Sequence, residues 1–443
     1  KTGEFQSKHS FFDEVLSYTG GVTLYQEQLM KMAVKIGFSL DEAEQLRRIV
    51  GKKKVDQMPA WREKITLKIK ENNLDPQLGD ILWSVAEDSA NYSFNKSHSI
   101  SYAILAVWTT YMKFKYTLPF LIALLRNSKH EQDPYEIIDK VSKEASRFGI
   151  RILPPDLARS EMDFTIDGNN IRYGLNSVKG ISEKSLESIL EFRGAKTANK
   201  FDVFLAAKSA KINIGILSSL IQAGALSSLN DDRARMVYEA QVFNILTDRE
   251  KRNFVNLGDK YDHDIFNIWK SEVSQGKNIA ADGKALVAER RQSTIRSKTE
   301  QYKIIYQKNS KHKKFANWFF ERKLLGYSYS SRLKNLYSRV YGYLGIENFV
   351  NECQGAQSKI IGIVKESKVA KSRSSGKKYC KFIVSDEKAQ INCFIWERLL
   401  DELAEKDSIP SKENIVSVRV RKMDGNGCSV NELSILDEQI YMK

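Results

Sequence analysis

Five consecutive polar residues stand directly before an apolar helical stretch in "YSFNKSHSISYAILAVW", Tyr92 to Trp108. Asn95, Lys96, Ser97 and His98 combine a point charge with directional donors, and the first amides of a helix lack partners within it. Such a set suits an anion, and a nucleotide triphosphate fits it. Capping by Ser97 or Ser99 is the plainer account of the same residues. A second basic group, "LRRIVGKKK", contributes Arg47, Arg48, Lys52 and Lys53. Arginines offer planar bidentate contacts to phosphate, although cations in a last helical turn also answer the helix dipole. Two such groups facing one cleft would converge on one polyphosphate.

Two further places suit nucleic acid. "VKGISEKSLESIL" resembles half of a helix-hairpin-helix motif, in which backbone amides around a glycine turn hold a phosphate without reading bases. Lys179, Gly180, Ser182 and Lys184 are its candidate contacts, with Ser182 where a second glycine is usual. An ordinary hairpin between helices explains the same residues. The basic loop "KSRSSGKK" offers Lys371, Arg373, Lys377 and Lys378 between two strand-like stretches, where barrels of the oligonucleotide-binding (OB) type carry ligand loops. A solvated surface loop is the alternative.

Catalytic chemistry is sparse. Metal-dependent phosphoryl transfer needs grouped carboxylates on a rigid strand. The DxD of Asp262 and Asp264 falls in "YDHDIF", inside a polar stretch that reads as a solvated loop. No nucleophile elbow, Walker loop or metal-spaced histidine set is present, so neither a catalytic residue nor a metal ligand is assigned to this chain.

The elements that must position these groups follow from periodicity. At 443 residues the chain exceeds one ordinary core. Its net charge of +15, spread along the length, favours a polyanionic partner touching several domains. Ser39 with Glu42 forms a capping box, followed by Ala43, Leu46 and Ile49 at helical spacing. Further helices are expected after Trp61, over Leu78 to Ala86, and after FNKSHS, where Ile100, Ile104, Val107, Trp108 and Tyr111 share a face. Pro154 and Pro155 mark a boundary, "FTIDGNNIRYGL" a hairpin turning at Asp167 to Asn169, and Ile214 to Leu229 a second helical unit of the hairpin kind. Residues 248–314 read as a poorly packed basic connector with some helix. From Ser358 onward, period-two stretches with one short helix predict a small β-barrel. The fold class is therefore multidomain and mainly α, followed by an OB-type barrel. The expected divisions are a helical domain at 1–155, a hairpin region at 156–240, a connector at 241–345 and the barrel at 346–443. Four cysteines without a CxxC pair suggest a reduced cytosolic setting, and no apolar run predicts a membrane span. The chain opens on Lys1 and reads as part of a longer product or as an engineered fragment.

"YQEQLMKMA", "LRRIVGKKK", "YSFNKSHSISYA", "ILPPDL", "RYGLNSVKGI", "LIQAGAL" and "ERKLLGYSYS" occur in this order. Together they resemble the C-terminal half of the alpha subunit of bacterial DNA polymerase III, a family C replicative polymerase. The resemblance implies a fingers domain in which Arg47, Arg48, Lys52, Lys53, Asn95, Lys96, Ser97 and His98 face the incoming dNTP. It implies a tandem helix-hairpin-helix region on the primer-template duplex around Gly180, and a barrel meeting single-stranded template at Lys371 to Lys378. Mg2+ is the implied cofactor, held mainly by palm aspartates that this sequence lacks and by the dNTP. The implied partners are primer-template DNA, dNTP, the N-terminal palm-containing part of the polymerase and a sliding clamp, in a bacterial cytoplasm. "QVFNIL" at Gln241 is a poor clamp-binding peptide. The missing His-Pro after "ERKLLGYSYS" and the basic connector suit a divergent, phage-encoded member. A non-catalytic DNA-binding factor using only the hairpins and barrel is the alternative.

Overall fold

In the computed structural model, residues 7–51, 57–92, 94–226, 229, 232–275, 278–309, 312–372 and 375–436 are described. The chain divides into two compact units, Lys1–Lys115 and Tyr116–Lys443.

The first unit begins with α1 (Ser10–Leu16), α2 (Gln26–Lys35), α3 (Leu40–Gly51), α4 (Met58–Glu71) and α5 (Gln77–Tyr92). The expected capping box starts α3: Ser39 N donates to Glu42 Oε2 at 2.9 Å, and Glu42 N to Ser39 Oγ at 3.2 Å. Ala43 and Leu46 are then buried with Leu29, Met32, Trp61, Ile65 and Leu82 in one core. The last helix, α6 (Lys96–Lys115), buries no residue. Its expected face of Ile100, Ile104, Val107, Trp108 and Tyr111 lies exposed, as do Phe114 along the same face and Leu105 off it.

The second unit opens with α7 (Thr117–Asn127) and α8 (Pro134–Arg147), whose Leu121, Leu125, Ile138 and Val141 join its core. The sequence boundary expected near residue 155 thus differs from the structural division at 115, because these apolar stripes pack onward along the chain. A small sheet follows, with β1 (Ile152–Leu153) parallel and β2 (Thr165–Asp167) antiparallel to β3 (Asn170–Arg172). The β2–β3 turn is the expected one, with Gly168 at φ +62°. Helices α9 (Leu186–Gly194), α10 (Lys200–Ser209), α11 (Ile214–Ala223) and α12 (Arg233–Ile245) build the centre.

The expected connector is folded. It forms α13 (Asp248–Asn256), α14 (Ile265–Ile268) and α15 (Glu289–Asn309), and buries Phe254, Ile265, Ile268, Val273, Val287 and Ile295 in the same core. Its apolar residues are too widely spaced to show a period, so their common destination exists only after packing. Asp264 is buried rather than solvated, capping α14 through Phe266 N and Asn267 N at 2.9 and 3.0 Å and pairing with Arg235. Gln241 and Phe243 are buried inside α12, and Gln241 donates to Ser218 at 3.2 Å, so "QVFNIL" is no extended clamp-binding peptide.

Helix α16 (Lys313–Leu325) carries Glu321, whose fully buried carboxylate accepts from Arg233 Nη1 at 2.8 Å, Ser328 Oγ at 2.8 Å and the amides of Tyr329 and Ser330 at 3.0 Å. This ties "ERKLLGYSYS" to α12. Helices α17 (Leu333–Tyr341) and α18 (Ile346–Val350) lead to the barrel. Its strands are β4 (Gln357–Lys371), β5 (Lys378–Ser385), β6 (Gln390–Trp396), β7 (Ile415–Lys422) and β8 (Gly427–Ile435), closed in the order β4-β5-β6-β8-β7. Helix α19 (Glu397–Glu405) follows the third strand, as expected of an OB-type barrel. Asp139 of α8 anchors it, with Lys143 at 2.9 Å, Lys365 of β4 at 3.1 Å and Arg322 of α16 at 3.8 Å.

Candidate nucleotide and nucleic-acid interface

The segment "LYQEQ" joins the two basic groups of the first unit. Gln28 accepts from Leu24 N and Tyr25 N at 2.9 and 3.0 Å and so caps α2. Phe94 is bridged to it, since Phe94 N donates to Leu24 O at 3.0 Å and Gln26 N to Phe94 O at 3.1 Å. Lys96 N donates to both Glu27 oxygens at 3.0 and 2.9 Å. From α3, Arg47 Nη1 donates to Gln26 Oε1 at 2.8 Å. Arg47 and FNKSHS therefore both grip consecutive residues of one helix start.

The helix cap differs from the simple expectation. Asn95, not Ser97 or Ser99, caps α6: its Oδ1 accepts from His98 N at 2.9 Å and from Ser97 Oγ at 2.6 Å. The His98 ring packs between Phe94 and Tyr102, at centroid distances of 5.4 and 4.5 Å. The Lys96 ammonium rests over the rings of Tyr18 at 4.5 Å and Tyr25 at 5.8 Å. Glu44 binds both arginines: Arg47 Nε and Nη2 donate to it at 2.6 Å each, and Arg48 Nε at 2.8 Å. The hydrogen bonds from Arg47 and then Arg48 pull its carboxyl down to about 2. Lys52 and Lys53 lie outside the described residues.

In the second unit the hairpin at Lys179 to Ser182 projects from a buried Ile181. Gly180 has φ +92°, a left-handed conformation that a side chain would strain. Lys179 N donates to Leu324 O at 2.9 Å, while Gly180, Ser182 and Lys184 are exposed. A second hairpin, which precedes the helical unit expected over Ile214 to Leu229, joins α10 to α11 through Ala210–Asn213. Ile212 anchors it, Asn213 caps α11 by accepting from Ile216 N at 2.9 Å, and exposed Lys211 adopts φ +57°. A lysine occupies the position where the first hairpin has glycine, so the glycine signal was missing.

On the barrel, Lys371 and Lys378 are paired across β4 and β5, and Lys377 is exposed beside them. Arg373 lies outside the described residues. Sequence reasoning missed an aromatic face on the neighbouring strands. Tyr379 and Trp396 are register partners, as are Lys381 and Phe394. Phe394 and Trp396 stack at 6.0 Å and 12°, with Tyr379 at 6.5 and 6.2 Å from them. Cys380, Phe382, Cys393 and Ile395 fill the barrel interior, so these alternate aromatics point outward. Aromatics on the polar phase of "KYCKF" and "NCFIW" were the available signal.

Among the described residues, no group of three His, Cys, Asp or Glu side chains could hold a metal ion. The Mg2+ implied by the resemblance thus finds no ligand set there. No helix among them is long and apolar enough to cross a membrane.

The first unit carries a cluster of cations at helix starts, and the second carries two exposed hairpins and an OB-type barrel with outward aromatics. Residues 1–73 match the bacterial DNA polymerase III alpha subunit finger domain, and residues 149–236 match a helix-hairpin-helix motif. The DNA polymerase III subunit alpha of Thermus aquaticus is 36% identical over 237 residues, 53% of this chain and 19% of that protein. That of Aquifex aeolicus is 37% identical over 231 residues, 51% and 19% respectively, and that of Escherichia coli K12 is 33% identical over 238 residues, 53% and 20%. Over its matched residues the chain is similar to bacterial DNA polymerase III alpha subunits, with matches to their finger domain and to a helix-hairpin-helix motif, followed by a small β-barrel. The match spans about a fifth of the length of these relatives.

Proposed function

We propose that this chain supplies the nucleotide-binding fingers and the DNA grip of a DNA-directed DNA polymerase acting in a bacterial cytoplasm. Arg47, Arg48 and the FNKSHS residues Asn95 to His98 bind the triphosphate of the incoming dNTP, with Lys52 and Lys53 continuing the basic run. The hairpins at Lys179–Lys184 and Ala210–Asn213 hold the duplex backbone through amides and lysines. The barrel holds single-stranded template by stacking bases on Tyr379, Phe394 and Trp396 beside Lys371, Lys377 and Lys378.

The observation that carries this reading is the shared clamp on α2. Gln26 receives Arg47 while the adjacent Glu27 receives the Lys96 amide, bringing two cationic groups 49 residues apart onto one helix start. The metal-binding carboxylates belong to a palm on another segment or another chain. Helix α6 supports such a partner: a helix apolar on all sides is ordinarily enclosed, and here it buries nothing.

The test is single-nucleotide incorporation by a polymerase assembled from this chain and a palm-bearing polypeptide. Arg47→Ala and Lys96→Ala are each expected to lower it about tenfold or more, the loss of one charge-assisted contact. Unchanged kinetics in both would sink the reading. A non-catalytic DNA-binding role is favoured by one observation, that Arg47 and Arg48 already satisfy an internal carboxylate. It predicts salt-sensitive DNA binding with no response to nucleotide.

A further inference from the structure

The Arg47 fork, Arg48 Nε and the Lys96 amide, all assigned to phosphate, already meet acceptors from the protein. The Arg47 fork is bidentate on Glu44, which also takes Arg48, and the first amide of α6 takes both oxygens of Glu27. Bidentate guanidinium contacts and helix-start amides are the geometries that hold phosphate oxygens. Neither carboxylate is the N-cap side chain of its own helix, although Glu27 does satisfy the first amide of α6. Gln28 caps α2, Asn95 caps α6, and Glu44 lies inside α3, beyond the Ser39–Glu42 box. The Glu44 side chain is 30% exposed, so solvent and ligand can reach it.

We propose that Glu44 and Glu27 are placeholder carboxylates, which occupy the phosphate-contacting donors of Arg47, Arg48 and Lys96 in the nucleotide-free chain and are displaced by the triphosphate. They thereby set the affinity of the site and hold the arginines in their binding geometry while it is empty. A phosphate group carries more charge than a carboxylate and offers more acceptor oxygens, so the exchange favours the ligand. The inference rests on the reading of this site as the triphosphate site.

Inorganic tripolyphosphate, then a dNTP, is titrated by calorimetry at low ionic strength into the full chain and four variants. Glu44→Gln keeps the side-chain volume and removes the charge, and Glu27→Gln does the same at α6. Glu63→Gln removes an equal charge from the exposed face of α4. Arg47→Ala tests the underlying reading, and circular dichroism checks that each variant is folded. Glu44→Gln or Glu27→Gln is expected to bind about fivefold tighter than wild type, from removal of one charge-assisted competitor, with Glu63→Gln near wild type. Binding by both variants that is no tighter than by Glu63→Gln overturns the placeholder role, even where Arg47→Ala still abolishes binding and the site reading stands. If Arg47→Ala leaves binding intact, or if wild type and both variants bind nothing, the site reading fails and the inference with it. If Glu44→Gln does not fold, Glu27→Gln decides the outcome by the same comparison.

Discussion

Arg47 donates to Gln26 across 2.8 Å, and through that bond α3 is fastened to the segment that pairs with Phe94. The link makes the geometry of the basic cluster depend on an uncharged residue. Gln26→Ala is expected to cost about 0.5 to 1.5 kcal/mol of stability in the first unit, read from the urea unfolding midpoint. It should also weaken tripolyphosphate binding, because the Arg47 fork loses one of its two supports. Gln26→Glu should retain the stability and still weaken binding, by adding a competing charge.

The acid response of the first unit is set in part by Glu44. Hydrogen bonds from Arg47 and Arg48 hold its carboxyl at about 2, against 4.5 for an unperturbed glutamate. A carboxylate depressed in the folded state contributes stability above the unfolded value, and that contribution disappears as pH falls through the folded value. Thermal unfolding midpoints should therefore drop between about pH 4.5 and 2 in wild type, and drop less in Glu44→Gln. Equal slopes in both proteins would show that the Arg47–Glu44–Arg48 group adds nothing to stability. Salt should diminish the difference, since Arg48 is two-thirds exposed.

Glu321 offers the strongest stability test in the second unit. Removing it by Glu321→Ala leaves Arg233 buried without its carboxylate and deprives the Tyr329 and Ser330 amides of their acceptor. Breaking a buried pair this way costs about 3 to 5 kcal/mol, which chemical denaturation will register. The exposed pair Arg419–Glu432 is the control. Glu432→Ala is expected to change stability by less than about 1 kcal/mol.

The aromatic face of the barrel should separate strand types. Trp396→Ala is expected to weaken binding of a single-stranded oligothymidine by about 1 to 3 kcal/mol, measured by fluorescence anisotropy. Duplex affinity should hold. Lys211→Glu should do the reverse, weakening duplex binding and lowering its salt dependence by about one released ion. Loss of both affinities in both variants would contradict the division of labour between hairpins and barrel.

Local chemistry was legible in the sequence because it is decided within a few residues. Ser39 finds Glu42 three positions on, the Asp167–Asn169 turn closes over its own neighbours, and "QINCFIW" alternates whatever surrounds it. The family resemblance likewise needed only the order of short motifs. The groups that give the candidate site its character are joined over longer spans. Glu27 meets Lys96 across 69 residues and Arg47 meets Gln26 across 21, and in the core of the second unit Arg233 likewise meets Glu321 across 88. No periodicity encodes those separations. They arise when amphipathic faces bury against one another and leave particular polar atoms facing partners from other elements. For the same reason the connector reads as poorly packed in the sequence although its scattered Phe254, Ile268 and Ile295 reach one core, and the outward stack of Tyr379, Phe394 and Trp396 appears only when two strands take their register. The sequence alone determined which residues carry the charges and donors suited to phosphate and where most of the helices and strands would fall. Tertiary packing decided which of those residues stand together, and that carboxylates of the same chain already occupy their donors, because side-chain proximity is a product of burial and not of spacing.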